Sequence, residues 1–416
     1  MLDVNLIRKN PDEVKKGLKA KNADPKLVDN FLELDEKWRV LVKEYDDLRA
    51  KQKTFGKEDK EKAGQIKDKI KKIESDSNDL NSLREEALHQ MPNLPLPTVP
   101  VGKDETGNQI LREVGKKPNS PAGGPKDYLT LAQDLDLIDI KRAAKVSGSR
   151  FGYLKGAAVA LEFALADLAM KILKEEGFVP VVPPVLINER AMWGMGYLER
   201  GRDEIYYLPA DNLYLAGTSE QSIGPMHMDE VLSEAELPKR YLAFSTCFRR
   251  EAGSYGKDTK GILRVHQFDK LEMFSITKPE DSEKEHQFLL SLQEKLMQAL
   301  ELPYRVVNIC SGDLGDPAAA KYDIEVWLPG QNNGKGEYRE THSASNTTDF
   351  QSRRLNIKYK NLEGKPEFVH MLNGTAFAIG RMIIAILENY QTEKGTVKIP
   401  EVLREYLGFE EINAPA

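Results

Sequence analysis

The sequence predicts an α+β protein in which a two-helix arm precedes a globular domain of helices and strands. Three observations carry the prediction. Apolar residues between Leu27 and Met91 recur at steps of four and three, as in a coiled coil. A proline-rich stretch near residues 92 to 125 then divides the chain. Beyond it, apolar helical stretches are interspersed with runs of period-two alternation, the raw material of a mixed domain.

The arm comes first in the chain. Leu27, Phe31, Leu34, Trp38, Leu41, Tyr45 and Leu48 form one seam, and Asp24 and Pro25 supply an N-cap and a first helical position. After the breaker TFGKED, a second seam runs through Ile66, Ile70, Ile73, Leu80, Ala87 and Met91, with Ser77 and Arg84 as polar interruptions. A short turn between two such helices makes them fold back antiparallel. About 28 helical residues would project roughly 40 Å at 1.5 Å each, so the arm is expected to stand out into solvent. From Lys51 to Lys72 there are nine lysines against four acids. Such lysines ordinarily keep a helix soluble; their concentration toward the distal half suits phosphate contacts, which need no sequence reading.

Composition sets the outer limits. A chain of 416 residues, net charge -6, buries at least one large core and does not coat nucleic acid along its whole length. It has no run of about 18 apolar residues and no signal-peptide pattern at its start, so a soluble protein with no membrane partner is expected. Cys247 and Cys310 lack CxxC spacing, which excludes a disulfide framework and a cysteine-rich zinc site and fits a reducing cytoplasm.

The globular part opens on GAAVALEFALADLAMKILKEE, an apolar helix ending at Gly177. FVPVVPPVLIN follows, a strand whose Pro180, Pro183 and Pro184 confine it to a sheet edge or a subunit interface. YLAFSTCFRRE then reads as a strand entering a turn at AGSYGKDTKG, and RVHQFDKLEMFSI as its return. GSYGKD lacks the glycine spacing and the Ser/Thr of a P-loop. On the returning strand Arg264, His266, Phe268, Lys270 and Glu272 share one face. Phe268 and Glu272 stand about 13 Å apart, near the span from a nucleobase to a group beyond its α-phosphate. An aromatic for a base and a carboxylate for an amine could serve one extended ligand; a charged, solvated sheet face is the plainer alternative.

Three further stretches carry chemistry. AGTSEQ places Thr218, Ser219 and Glu220 after a strand, although Thr218-x-x-Gln221 also reads as a capping box. YRETHSASN carries Glu340 among hydroxyls, suited to Mg²⁺ with phosphate oxygens, or is simply a polar strand. LNGTAFAIGRMIIAILENYQ holds Arg381 as the one charge between Gly374 and Leu387, which calls for an anionic partner: a buried salt bridge or a bound phosphate.

Together these stretches resemble the class II aminoacyl-tRNA synthetases in their seryl, bacterial form. FRREAGSYGKDTKGILRVHQFDKLE is similar to motif 2, LNGTAFAIGRMIIAILENYQ to motif 3, the proline-rich strand to motif 1, TSE to the serine-binding loop and the N-terminal hairpin to the tRNA-binding arm. The resemblance spans essentially the whole chain, and five motifs in the family's order are very specific. The hairpin is shorter than many bacterial members carry, and Ala344 stands where cysteine is common.

The resemblance implies a serine–tRNA ligase with a mostly antiparallel catalytic sheet flanked by helices. Residues 1–105 would form the tRNA-binding domain, with the arm at about 25–91, and residues 106–416 the catalytic domain. Serine and ATP would give seryl-adenylate and pyrophosphate, and the seryl group would pass to the 3′-terminal adenosine of tRNA(Ser) and also of tRNA(Sec). The enzyme would be a cytoplasmic homodimer using Mg²⁺ and binding no DNA. Arg249 would hold the α-phosphate, Glu251 the adenine amino group, and Phe268 and Arg381 the faces of adenine. Arg250, Arg264, Val265, Thr341 and His342 would also lie on the ATP side, and Glu340 and Ser343 would hold the metal. Thr218, Ser219, Glu220, Glu272, Asn373 and Thr375 would bind serine together with Arg249. Lys51, Lys53, Lys57, Lys60, Lys62 and Lys67 would meet the RNA.

Overall fold

The computed structural model describes residues 1–55, 60–119, 121–199, 201–252 and 260–415, with Lys60 by its backbone alone. It divides into two compact units, Met1–Pro95 and Leu96–Ala416.

In the first unit two short helices, α1 (Val4–Lys9) and α2 (Pro11–Ala20), precede α3 (Lys26–Gln52) and α4 (Lys60–His89). The α3 helix begins one residue later than the capping pattern suggests, and Asp24 still accepts a hydrogen bond from the Lys26 N–H at 2.9 Å. Ile7, Val14 and Leu18 of the short helices are fully buried, as are Val28 and Phe31 of α3. The near end of α3 is therefore sealed by Val28, Phe31 and Asp35 rather than by Leu27 and Leu34, which are half-buried. Arg84 is no mere interruption of the seam. Its Nε donates to Asp35 Oδ1 at 2.7 Å, Arg8 donates to both Asp35 oxygens at 2.7 and 2.8 Å, and the Arg84 guanidinium lies over Phe31 and Trp38. Burial, the largest influence on Asp35, opposes its charge, and the hydrogen bonds from Arg8 and Arg84 outweigh it, holding the carboxyl below its usual range.

The second unit is organised by an eight-stranded sheet. Its strands are β1 (Gln109–Val114), β2 (Val179–Val181), β3 (Lys239–Phe248), β4 (Gln267–Thr277), β5 (Tyr304–Asn308), β6 (Ala320–Leu328), β7 (Glu337–Asn346) and β8 (His370–Ala378), in the spatial order β1-β5-β6-β7-β8-β4-β3-β2. All neighbours are antiparallel except β2 and β3. The proline-bearing β2 takes the edge, where missing N–H donors leave no gap in the ladder.

The two faces of the sheet differ. Against one lie α5 (Ala157–Glu175), α6 (Ser282–Ala299) and α7 (Ile379–Asn389), whose apolar side chains close over Leu271, Met273, Ala344, Leu372 and Phe377. The other is apolar toward Tyr241, Phe274, Ile276 and Met371 and polar beyond them. Period two sets that division: Leu271 and Met273 face the helices, while Phe268, Lys270 and Glu272 face the opposite way.

Two bulges adjust it. Along β7 the register passes from His342 opposite Ile324 to Glu340 opposite Glu325, leaving Thr341 as the extra residue. In β8 it passes from Phe377 opposite Leu271 to Thr375 opposite Glu272, leaving Ala376 over. An extra residue shifts the alternation by one. Glu340 and Ser343, three apart, thereby come to one face, and Thr375 and Asn373 come to the face of Glu272.

Candidate active site

The polar face forms the floor of a cleft of about 770 Å³. Thr218, Glu220, Arg249, Glu251, Arg264, Glu272, Ser343 and Asn373, all expected from sequence, line it. The structure thus gathers residues spread over more than 150 positions into one wall.

At one end two carboxylates meet. Glu220 opens a short helix, Glu220–Ile223, and accepts a hydrogen bond from the Tyr197 hydroxyl at 2.6 Å. Burial and the neighbouring Glu272 charge raise its pKa, with Lys270 opposing, and burial beside Glu220 raises that of Tyr197. The Lys270 ammonium lies 2.7 Å from Glu272 Oε2. Thr218 and Ser219 are buried, and Ser219 Oγ makes no hydrogen bond among the described residues. The alternative capping box does not form: the helix is capped at Ser219 without a side-chain bond, and Gln221 Oε1 accepts instead from the Gly217 N–H at 2.7 Å. That bond braces the loop whose Gly217 carbonyl accepts from Arg249 Nε at 3.0 Å.

Arg249 leaves the end of β3. Its guanidinium stands 5.2 Å from the centre of the Phe268 ring, and its backbone N–H donates to the His266 carbonyl. Glu251 takes the left-handed backbone conformation, φ 50°, and receives a hydrogen bond from Arg264 at 2.8 Å. Arg250 instead turns outward: it donates its backbone N–H to Glu204, and its side chain is exposed. Residues 253–259 lie outside the described residues.

Phe268 is half-buried and, with Val265, Ile379 and Gly380, borders a second cavity of about 210 Å³. Arg381 sits in the first turn of α7, not deep within it. Its NH1 donates to the Glu340 carbonyl at 2.7 Å and lies 3.4 Å from that residue's carboxylate, with about a quarter of the side chain exposed. The anion that Arg381 meets in this structure is Glu340, in a partly exposed pair. Burial raises the Glu340 pKa, but Arg381, Lys321 and Arg249 outweigh it and hold the carboxyl below its usual range. The residues between Glu340 and Ser343 are placed otherwise. His342 is fully buried, 5.9 Å from the Phe377 ring, with burial lowering its pKa to about 4, and Thr341 bonds to it and to the Ile324 carbonyl. Thr375 is buried beside Glu272.

A hard cation suits the Glu340–Ser343 pair. The bulge aims an ionised carboxylate and a hydroxyl at one face, and both are oxygen donors of the kind Mg²⁺ takes. Among the described residues no three His, Cys, Asp or Glu side chains group into a metal cage. In such a site the protein would supply Glu340 and Ser343, leaving the remaining positions to ligand phosphates and water.

Several cleft residues escaped the sequence reading. Tyr197, Asp316, Lys321 and Ser345 also line it, and Lys321 pairs with the buried Asp323 at 3.0 Å, directly opposite Ser343. Cross-strand neighbours have no sequence proximity to betray them. Lys270 alone had a signal, since alternation already placed it between Phe268 and Glu272. In the arm, Lys51, Lys53, Lys62 and Lys67 are exposed, whereas Lys57 and the Lys60 side chain lie outside the described residues.

Residues 206–390 match the model of the tRNA synthetase class II core domain (G, H, P, S and T), and residues 1–95 that of the seryl-tRNA synthetase N-terminal domain. The serine–tRNA ligase of Dictyoglomus turgidum is 45% identical over 426 residues, covering 99% of both chains, and that of Streptomyces coelicolor is 45% identical over 429 residues, covering 100% of this chain and 99% of its own. A crystal structure of seryl-tRNA synthetase from Pyrococcus horikoshii complexed with ATP superposes with a TM-score of 0.94 at 42% identity over the whole of both chains. The cytoplasmic serine–tRNA ligase of Naegleria fowleri in complex with AMP follows at 0.91 and 36%, covering 100% of this chain and 99% of that one. With identity of this order along its full length, and a seryl-type domain at one end and a class II core at the other, the chain belongs to the seryl-tRNA synthetases.

Proposed function

We propose that the chain activates L-serine with ATP, releasing pyrophosphate, and passes the seryl group from the adenylate to the 3′-terminal adenosine of tRNA(Ser). The observation that carries this reading is one face of β4, which lines the cleft at Glu272 and the second cavity at Phe268. On one strand face Phe268 and Glu272 stand about 13 Å apart, with Arg249 beside the aromatic ring and Glu220 beside the acid. Base, phosphate and amine thus have an aromatic, a cation and a carboxylate in the order the adenylate needs.

Each residue then has a task. Phe268 and Arg381 sandwich adenine, Glu251 takes its amino group and Val265 borders it, while Arg249 and Arg264 face the phosphates. Glu220 and Glu272 hold the serine ammonium and hydroxyl, with Thr218, Asn373 and Thr375 completing the pocket. Bringing a carboxylate to the α-phosphate sets two anions together, so positioning and positive charge are what the site must supply. No protein nucleophile is required. Buried groups that pair with the serine hydroxyl would be left unpaired by alanine, a penalty of about 10⁴ in discrimination. Glu340 and Ser343 would hold Mg²⁺, which when bound neutralises charge on the phosphates.

Exposed lysines of the arm would meet the RNA backbone. A homodimer is supported by the apolar side chains left in solvent on α5 and around β2, with Phe163 63% and Val182 82% exposed. No helix among the described residues is long and apolar enough to cross a membrane, and a cytoplasmic place and charging of tRNA(Sec) complete the proposal. Serine-dependent ATP–pyrophosphate exchange followed by charging of purified tRNA(Ser) tests it. Exchange without charging would sink the second step, and absence of exchange the first.

A further inference from the structure

Lys270 lines the cleft and has no task in the reading above. Its place is suggestive. Phe268, Lys270 and Glu272 follow one another on one face of β4, so Lys270 stands roughly 7 Å from each, midway between the seat of the base and that of the amine. That midpoint is where the serine carboxylate and the α-phosphate must meet.

The present contact of Lys270 is elsewhere. Its Nζ lies 2.7 Å from Glu272 Oε2, and both side chains are almost wholly buried, 7% and 2% exposed. Yet that same Oε2, closed to solvent, receives no aligned hydrogen bond among the described residues. Charge attracts the pair, but direction does not satisfy the oxygen. A buried acceptor left in that state costs free energy until a better donor arrives. The α-ammonium of an amino acid, with three donors and no tether to the strand, is such a donor.

We propose that Lys270 occupies the ammonium seat on Glu272 in the empty site and, when serine takes that seat, turns to the junction of the serine carboxylate and the α-phosphate. This rests on the reading of Glu272 as the partner of the serine amine. The charges permit the exchange. Besides the Tyr197 hydroxyl, the groups acting on Glu220 are the charges of Glu272, Lys270 and Arg249, so two acids face two cations. Zwitterionic serine adds one charge of each sign, and every group can change partner without being left alone. In the reaction an oxygen of the serine carboxylate bonds to the α-phosphorus as the bond from that phosphorus to the bridging oxygen breaks, its electron pair leaving with pyrophosphate. No proton is transferred. Lys270 keeps its own and supplies positive charge beside two anions, next to Arg249.

The test uses the full chain with Lys270→Met, its fold checked by circular dichroism, and Lys270→Gln as the second variant should the first not fold. In pyrophosphate exchange kcat falls about 100-fold, whereas the serine KM stays within twofold or drops. Serinol, which has the ammonium and hydroxyl without the carboxylate, binds roughly 10-fold tighter to the variant by calorimetry, because the seat is vacant. Lys270→Arg, which keeps the charge, recovers at least about a tenth of kcat. A raised serine KM with weaker serinol binding would make Lys270 a mere support for Glu272 and overturn the proposal, as would an unchanged kcat. Glu272→Gln is run in parallel. If the serine KM ignores that change, the serine reading of Glu272 falls and the proposal with it, whatever Lys270→Met does.

Discussion

The two units hold buried charge in opposite ways. In the N-terminal unit, Asp35 meets Arg8 and Arg84 at 2.7–2.8 Å, and Arg84 is further covered by two aromatic rings. That set is closed, because each member satisfies another. In the catalytic unit, Glu220 and Glu272 crowd one wall, Glu272 Oε2 and Ser219 Oγ lack hydrogen bonds among the described residues, and Lys270 only partly answers Glu272. That set is open. Closed charge fixes the fold, and open charge, unfavourable by itself, is the form in which a site awaits a ligand.

The sharpest way to break this contrast is at Glu272. Glu272→Ala removes the acid for which serine competes, and kcat/KM for serine in pyrophosphate exchange should fall about 10⁴-fold. ATP binding, measured by calorimetry, should change less than about threefold, since no seat of the base or phosphates is touched. An equal loss for both ligands would show that the open set is structural after all.

Next comes deletion of Lys51 to Lys72. If the lysines serve RNA, charging of tRNA(Ser) should drop about 10³-fold, the scale of several lost phosphate contacts. Pyrophosphate exchange should stay within about twofold of the parent, because the cleft belongs to the other unit. Equal charging by parent and deletion would return the lysines to their plain role of solubility.

Asp35→Ala probes the closed set. It leaves Arg8 and Arg84 facing one another without their acid, and the N-terminal unit should lose about 3–5 kcal/mol of stability. Hydrogen exchange of the full chain should show α1, α3 and α4 losing protection while the sheet keeps its own.

Much of this was legible in the sequence, and the limits have physical causes. Heptad spacing located both arm helices, and alternation put Phe268, Lys270 and Glu272 on one face, because local periodicity alone decides such features. It could not show that Arg84 answers an acid 49 residues away, so Arg84 read as an interruption. Nor could it show the bulges at Thr341 and Ala376, which depend on the partner strand and bring Glu340 beside Ser343 and Thr375 beside Glu272. The capping-box alternative at TSEQ fails for a related reason. Its Gln221 bonds to the Gly217 N–H of the loop whose carbonyl meets Arg249, a contact with a residue 32 positions away.

The smallest expected effect concerns pH, and it separates the units by sign. Asp35 has a carboxyl lowered below its ordinary range, burial opposing and Arg8 and Arg84 prevailing. A depressed acid contributes stability that is present above its unfolded pKa and lost as pH falls through its folded one. Glu388, in the last turn of α7, is the reverse. It accepts from the Tyr128 N–H at 3.1 Å, the Gly330 N–H at 2.8 Å and the Gln331 amide at 2.6 Å, yet burial pushes its pKa up to about 7, against those three donors. A raised acid contributes stability that is full below its unfolded value of 4.5 and lost as pH rises toward 7. The span of about 2.5 units corresponds to at most roughly 3–4 kcal/mol. Hydrogen exchange at pH 5 and pH 8 should therefore show the elements around Glu388 losing protection at the higher pH, with that difference shrinking in Glu388→Gln, whose side chain cannot ionise. Asp35→Asn should leave it untouched and instead flatten the acid-side loss in the arm. If Glu388→Gln keeps the full difference between pH 5 and 8, the three donors hold Glu388 ionised despite its burial, and the catalytic unit's buried acid is as closed a set as that of the arm.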